Sequence, residues 1–183
     1  MNRNIKRMDG EKCYLSILRK DPEAVQKYIA WMSDETTCVN IELNHEVKDY
    51  SDMPGWLNDG HVRRMGIVRK DTDEMVGYCH CKYVEGSNMA WISINIGEPS
   101  ARGIGIGTEV VGLLLKYAFQ ELHCHSVALD VLETNQAGIT CYRKCGFQIS
   151  GRYRQSCFHE GKYRDWFHMD ILEEEYRENI CCK

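Results

Sequence analysis

The sequence has no apolar run approaching the ~20 residues that a membrane-spanning helix needs, and only 3 of its 183 residues are proline. Its 23 Lys and Arg are outnumbered by 27 Asp and Glu, which gives a net charge of −4. The chain therefore lacks the basic excess of a general nucleic-acid-binding protein. Residues 1–11 carry basic side chains with no apolar stretch behind them, so they do not resemble a secretory signal. We predict a cytoplasmic protein whose partners include neither membranes nor nucleic acids.

The 10 cysteines show no paired C-x-x-C spacing, and a reducing cytoplasm would keep them as thiols. Cys79 and Cys81 alternate on a strand-like run, and Cys141 and Cys145 share one helical face, as small buried apolar residues do. A zinc site using the Cys/His runs at 79–81 or 123–125 is the alternative. Because consecutive residues of a strand point to opposite faces, these runs are poor ligand sets, and we predict no metal.

At this length, 43% apolar residues can form the core of one domain. We predict an N-terminal extension at 1–12, a domain at 13–175 and a C-terminal tail at 176–183. The periodicity predicts strands at 13–19, 61–70, 75–85, 89–97, 127–131, 147–159 and 163–172. It predicts helices at 22–32, 105–122 and 136–145, with one or two short helices between 33 and 60.

The clearest strand has apolar side chains at every second position: Ala90, Ile92, Ile94 and Ile96. The apolar stripe that follows has helical spacing: Val111, Leu114, Leu115, Ala118 and Leu122. This helix crosses over between the strand before Gly97 and the strand after His125. Since such crossovers join parallel strands, we expect these two strands to be parallel within a mixed α/β domain.

Acidic residues are concentrated between residues 31 and 60, where seven Asp and Glu and one Lys give a local charge of −6. One interpretation is a solvated helical face. The other is an acidic wall that attracts a cationic substrate.

Three glycines, Gly103, Gly105 and Gly107, lie between the clearest strand and its helix. They remove the Cβ atoms that would keep a ligand from the backbone, at a point where the first amides of the helix have no partner within the helix. Such a loop is a site for phosphate. It is neither a dinucleotide fingerprint, which would need glycine at Thr108 or Val110, nor a P-loop, which would need lysine at Leu113.

The motif R-x-x-G-x-G at 102–107 resembles the GNAT superfamily of N-acetyltransferases, in which this loop binds the pyrophosphate of coenzyme A. Residues 135–147 resemble the family segment that begins with Asn and ends in Y-x-x-x-G-F. The hairpin at 160–165 resembles the end of members that modify protein N-termini, polyamines or aminoglycosides. The resemblance is strong over 89–172. It implies a central mixed sheet of six to seven strands, mostly antiparallel, with a parallel pair splayed at the coenzyme A site and about four flanking helices.

The resemblance also implies which residues bind the cofactor. Pyrophosphate would bind the backbone amides of seven loop residues: Arg102, Gly103, Ile104, Gly105, Ile106, Gly107 and Thr108. The strand end at Ile94 and Ile96 would pair with the pantetheine arm, and Asn135 would bond to the cofactor or cap its own helix. The Arg102 side chain would be a phosphate partner.

Acetyl transfer needs a neutral amine that attacks the thioester carbonyl. Tyr142 matches the family tyrosine beside the thioester sulfur, where it would act as an acid or hydrogen-bond donor to the departing thiolate. The strand face formed by Trp91, Ser93 and Asn95 carries no acid. The candidate general bases are therefore acids elsewhere in the chain: Glu98, Asp130 and Glu133. Of these three, Asp130 is the preferred candidate.

These features predict an acetyl-CoA-dependent N-acetyltransferase that transfers the acetyl group directly, in a ternary complex, to a primary amine. The acceptor would be a cationic small molecule or a protein N-terminus. The alternative is a catalytically weak GNAT-fold module that senses acyl-CoA. The sequence leaves open whether the chain forms a homodimer.

Overall fold

The computed structural model describes residues 4–34, 51, 53–58, 62–159 and 161–181. Within these residues, eight strands form one sheet in the order β1-β2-β3-β4-β5-β6-β8-β7. The strands are β1 (Lys6–Asp9), β2 (Cys13–Ile17), β3 (Val62–Arg69), β4 (Met75–Val84), β5 (Met89–Ile96), β6 (Ser126–Leu132), β7 (Gln148–His159) and β8 (Lys162–Leu172). The helices are α1 (Pro22–Ser33), α2 (Met53–Asn58), α3 (Ile106–Lys116), α4 (Gln136–Lys144) and α5 (Glu173–Cys181).

β5 and β6 are parallel, and every other neighbouring pair in the described sheet is antiparallel. The pairing of β5 with β6 covers only their first residues and ends at Trp91 opposite Ala128. β5 then continues to Ile96 and β6 to Leu132, so the two strands separate toward their C-terminal ends. The predicted mixed sheet with a splayed parallel pair is confirmed.

The two faces of the sheet are covered differently. On one face, Ile92, Leu129 and Met169 pack against α3 and α4 in a continuous core. On the other face, α1 and α2 form a second core over β2, β3 and β4 that includes Tyr28 and Tyr78. Neither core cluster includes the side chains of β5, β6 and β8 that point to this second face.

Local sequence explains why α1 begins at Pro22. The Asp21 side chain accepts a hydrogen bond from the Ala24 amide at 3.3 Å, which caps the helix, and Pro22 occupies the first helical position. Hydrogen bonds from the Arg19 guanidinium lower the pKa of Asp21 to about 2. The helix predicted at 22–32 is confirmed, and in the structure Ser33 is its last residue.

Three features differ from the sequence prediction. The sheet has one strand more than the upper predicted number, because β1 lies within the segment 1–12 and pairs antiparallel with β2. The helix predicted at 105–122 ends at Lys116 and continues as a π-helical turn, Tyr117–Glu121. The fifth helix, α5, is fixed by Tyr176, whose ring stacks on Phe119 with 4.7 Å between centroids. The division at residues 12 and 175 stays a prediction.

In the part of the chain that the structure describes, no helix is both long and apolar enough to cross a bilayer. Most of the acidic segment at 31–60 lies outside the described residues, so neither interpretation of its charge is decided.

Candidate active site

An open cleft of about 640 Å³ lies where β5 and β6 separate. Its walls are the end of β5, the glycine loop, the first turn of α3 and one side of α4. It brings together most of the predicted site residues: Ile94, Ile96, Arg102, Gly103, Gly105, Gly107, Thr108, Asn135 and Tyr142. Ile104 and Ile106 do not line it, because Ile106 is buried in the core and the Ile104 side chain is exposed to solvent.

The glycine loop presents backbone amides to this cleft. Gly105 is the N-cap residue of α3 at φ 94°, a left-handed conformation that favours glycine, and no side chain caps the helix. The N–H groups of the first helical turn are therefore available to a ligand, and the helix dipole favours an anion. A Cβ atom built on Gly107 would lie 3.7 Å from both Cys141 Sγ and Ile94 Cδ1, so the loop runs close to α4 and β5. These features fit a pyrophosphate group.

The β1–β2 hairpin fixes the loop from the other side. Lys12 Nζ donates to the Ile104 carbonyl at 2.9 Å, and the Lys12 amide donates to the Glu109 carboxylate at 3.0 Å. The Lys12 ammonium therefore lies beside the uncapped helix start. Sequence reasoning missed Lys12, because nothing local links it to a loop more than 90 residues away.

The Arg102 side chain connects the loop to the strand end. Its Nε donates to the Ile96 carbonyl and its Nη2 to the Gly97 carbonyl, both at 2.9 Å. These bonds hold the start of the glycine loop against the end of β5. Contact between Arg102 and a phosphate stays a prediction.

The start of α4 forms the opposite wall. Asn135 Oδ1 accepts a hydrogen bond from the Gly138 amide at 2.8 Å, so Asn135 caps this helix, as one of its two predicted roles requires. At the other end of α4, Lys144 also lines the cleft and adds a cationic group. The sequence contained this signal, because Lys144 lies within the segment already recognised at 135–147.

Tyr142 lies against the cleft with only 8% of its surface exposed, and its ring is 6.0 Å from that of Phe147. Burial raises the pKa of its phenol above the ordinary value, and the Cys141 and Cys145 thiols act in the same direction. The hydroxyl therefore stays protonated at neutral pH and is suited to donate a hydrogen bond rather than to release its proton.

Asn95 is a further buried group at the cleft, and no role was predicted for it. It is 4% exposed, and its Nδ2 has no hydrogen-bond partner within the described chain. By strand alternation its side chain belongs to the face that also carries Trp91, yet it lines the cleft. The opening between β5 and β6 therefore connects the two faces of the sheet.

None of the three predicted base candidates lines the cleft. Glu98 Oε1 accepts from Trp31 Nε1 at 3.1 Å, and Glu133 Oε1 accepts from the Asp165 amide at 3.3 Å. Asp130, the preferred candidate, lies on the second face of the sheet with its carboxylate 2.8 Å from His168 Nδ1.

Cys141 lines the cleft next to the glycine loop, with its Sγ 3.5 Å from Thr108 Oγ1. Hydrogen bonding to Cys145 lowers the pKa of Cys141, against the opposing effect of burial. Cys13, Cys79 and Cys81 have raised pKa values because they are buried.

We expect iodoacetamide to alkylate Cys141 faster than the buried cysteines, since the thiolate is the reactive form. Because the pKa is lowered, the half-maximal rate should fall below pH ~8.5, the ordinary thiol value. Mass spectrometry of tryptic peptides measures this rate, and saturating CoA should slow it. Equal labelling with and without CoA would contradict the position of Cys141 at the cofactor site. The Cys141→Ser variant controls for assignment of the labelled peptide.

No group of three or more His, Cys, Asp or Glu side chains within the described residues is arranged to hold a metal ion. Cys79 and Cys81, which the zinc alternative invoked, both lie in the core beneath α3.

A family model described as the acetyltransferase (GNAT) domain matches residues 3–148, more than three quarters of the chain. The chain belongs to the GNAT acetyltransferase family. It is an N-acetyltransferase of this family, as the glycine loop and the segment at 135–147 predicted.

Relatives and a solved structure agree with GNAT membership. The uncharacterized N-acetyltransferase p20 of Bacillus licheniformis is 28% identical over 163 residues, covering 86% of this chain and 90% of that protein. The spermidine N(1)-acetyltransferase of Escherichia coli K12 is 32% identical over 79 residues, which are 43% of this chain and 42% of that protein. A similar fold is found in the crystal structure of the spermidine N-acetyltransferase of Vibrio cholerae in complex with CoA and spermine. The TM-score is 0.81 at 18% sequence identity, and the match covers 92% of this chain and 99% of that chain. At this level of sequence identity, the similarity to the Vibrio cholerae structure shows a shared fold only.

Proposed function

We propose that this GNAT acetyltransferase transfers the acetyl group of acetyl-CoA directly to a primary amine of a small cationic molecule of the polyamine class. The observation that carries the proposal is the opening between β5 and β6. It joins a cleft suited to pyrophosphate and pantetheine with a second sheet face from which an acceptor can approach. Both substrates can then be bound at once, which direct transfer requires.

Acetyl-CoA would be bound mainly by residues that line the cleft. The amides of the first turn of α3 would bind the pyrophosphate, with Lys12 and Lys144 adding positive charge. Ile94 and Ile96 would pair with the pantetheine arm along the free edge of β5. Bound acetyl-CoA supplies the activated acyl group. The Tyr142 hydroxyl would donate a hydrogen bond to the departing thiolate.

A cationic acceptor is favoured by two considerations. Relatives named for spermidine acetylation match part of the chain. The segment at 31–60 has a local charge of −6, and acidic residues raise the local concentration of polycations. A protein N-terminus carries a single charge and would gain less from such a field.

The test is thiol release from acetyl-CoA, followed with a chromogenic thiol reagent over an amine panel. Spermidine should give amine-dependent release with a KM at least ~10-fold below that of a monoamine of similar length, and raised salt should weaken this preference. A short peptide with a free N-terminus is the competing acceptor, and spermidine acetylated at both primary amines is the matched control. Binding of acetyl-CoA with no release for any amine would instead identify a sensor module.

A further inference from the structure

A histidine lies at the centre of a small polar and aromatic cluster on the second face of the sheet. His168 of β8 pairs with Asp130 of β6, and its Nδ1 is 2.8 Å from Asp130 Oδ1. The ring of Trp91 in β5 lies 5.2 Å from the imidazole, and that of Tyr153 in β7 lies 6.4 Å away, both between centroids. Four strands thus contribute one side chain each.

The Asp130 carboxylate determines which nitrogen of His168 is available. An ionised carboxylate only accepts hydrogen bonds, so the bond at Nδ1 is donated by the imidazole. The Nε2 atom of the neutral ring then carries the lone pair that can accept a proton. The His168 side chain is 23% exposed, whereas that of Asp130 is 10% exposed. A ligand can therefore reach the imidazole more easily than the carboxylate.

The cluster lies next to the opening between β5 and β6. The last paired residues of these strands are Trp91 and Ala128, and Asp130 is the next residue of β6 on the same face. Asn95, further along the same face of β5, lines the cofactor cleft. The cluster and Asn95 thus lie on the same face of the sheet, on the side where β5 and β6 separate.

We propose that His168 is the general base that accepts the proton of the acceptor amine, and that Asp130 is a positioning residue for it. This inference rests on the proposed function. It replaces the prediction that Asp130 is itself the base, because the carboxylate already accepts a hydrogen bond from the imidazole.

The acceptor amine arrives protonated, and its ammonium group first gives one proton to His168 Nε2, which passes it to solvent. The amine nitrogen forms a bond to the acetyl carbon, the carbon–sulfur bond breaks, and the sulfur leaves as a thiolate that accepts a hydrogen bond from Tyr142. The second proton, which the nitrogen loses as the amide forms, also passes to His168 Nε2 and then to solvent. Before transfer, the faces of Trp91 and Tyr153 can hold the protonated amine by cation–π attraction.

The first test is His168→Gln, which keeps a side-chain amide near Asp130 but removes the basic nitrogen. We expect kcat with spermidine to fall about 100-fold, while the Kd for acetyl-CoA changes less than ~3-fold. Asp130→Asn should lower kcat at least ~10-fold, because the asparagine amide no longer holds the imidazole in the tautomer that leaves Nε2 basic. His125→Gln, at an exposed position before β6, is the matched control and should retain wild-type rates.

The second test distinguishes catalysis from packing. His168→Ala lacks the imidazole ring. If His168 is the base, added free imidazole should raise the kcat of this variant at least ~10-fold. A slow variant that imidazole does not rescue, despite normal acetyl-CoA binding and thermal unfolding, would assign His168 a structural role and overturn the inference.

Comparing the turnover of the wild type with that of His168→Gln distinguishes failure of this inference from failure of the proposed function. Wild-type turnover together with near wild-type His168→Gln turnover would overturn the assignment of the base and leave the proposed function standing. Absence of amine-dependent turnover in the wild type would overturn both.

Discussion

Gly105→Val is expected to lower the affinity for CoA by at least ~30-fold, which is about 2 kcal/mol of binding free energy. Gly105 has a φ of 94°, where a residue with a Cβ is strained by roughly 1–2 kcal/mol and a β-branched one by more. The added Cβ would also lie 3.1 Å from Lys12 Nζ, which is bonded to the loop carbonyl of Ile104. Lys12 Nζ must give by a few tenths of an ångström, and the strained backbone shifts so that the loop amides no longer converge on one anion.

Gly86→Val is the matched control for this variant. Gly86 has a φ of 83° in the β4–β5 turn, where an added Cβ would have no neighbour within 4 Å. It carries a similar backbone strain but lies outside the residues that line the cleft. Calorimetry with CoA and thermal unfolding should show both variants destabilised and only Gly105→Val weakened in binding. Unchanged CoA affinity in a folded Gly105→Val protein would remove the pyrophosphate assignment.

The features predicted correctly from the sequence have local causes. The alternation from Ala90 to Ile96 and the helical stripe around Leu114 each encode one element. Their order, with a crossover helix between, implies the parallel pair. The glycine loop could be predicted because three glycines within five residues leave the backbone amides accessible to a ligand, and this pattern is visible in the sequence itself.

What the sequence did not reveal depends on contacts between distant segments. Lys12 contacts the glycine loop through a bond across 92 residues, and β1 is too short and polar to be marked by periodicity. His168 meets Asp130 only because β8 returns antiparallel beside β6. The same pairing places Asp130 and His168 on one face of the sheet, and no local pattern in either segment indicates that they meet.

Tyr142→Phe is expected to lower kcat for acetyl transfer about 100-fold, with less than ~3-fold change in the Kd for acetyl-CoA. The substitution keeps the ring and its contact with Phe147, so the fold and the cleft wall remain. It removes the hydroxyl that would donate to the leaving thiolate, an interaction that strengthens as charge develops on sulfur.

Because burial raises the pKa of Tyr142, the wild-type hydroxyl stays protonated up to at least its ordinary value of about 10. Loss of rate below that pH must then come from another group.

Tyr176→Phe separates this effect from the general loss of a partly buried phenol. The pKa of Tyr176 is also raised by burial, but its ring stacks on Phe119 and does not line the cleft. Single-turnover thiol release with spermidine should therefore be slowed in Tyr142→Phe and unchanged in Tyr176→Phe. If Tyr142→Phe kept the wild-type rate of the chemical step, the phenol would not act on the sulfur. The thiolate would then depend on solvent or a backbone donor for its stabilisation, and the catalytic role of the segment at 135–147 would reduce to its helix cap and cleft wall.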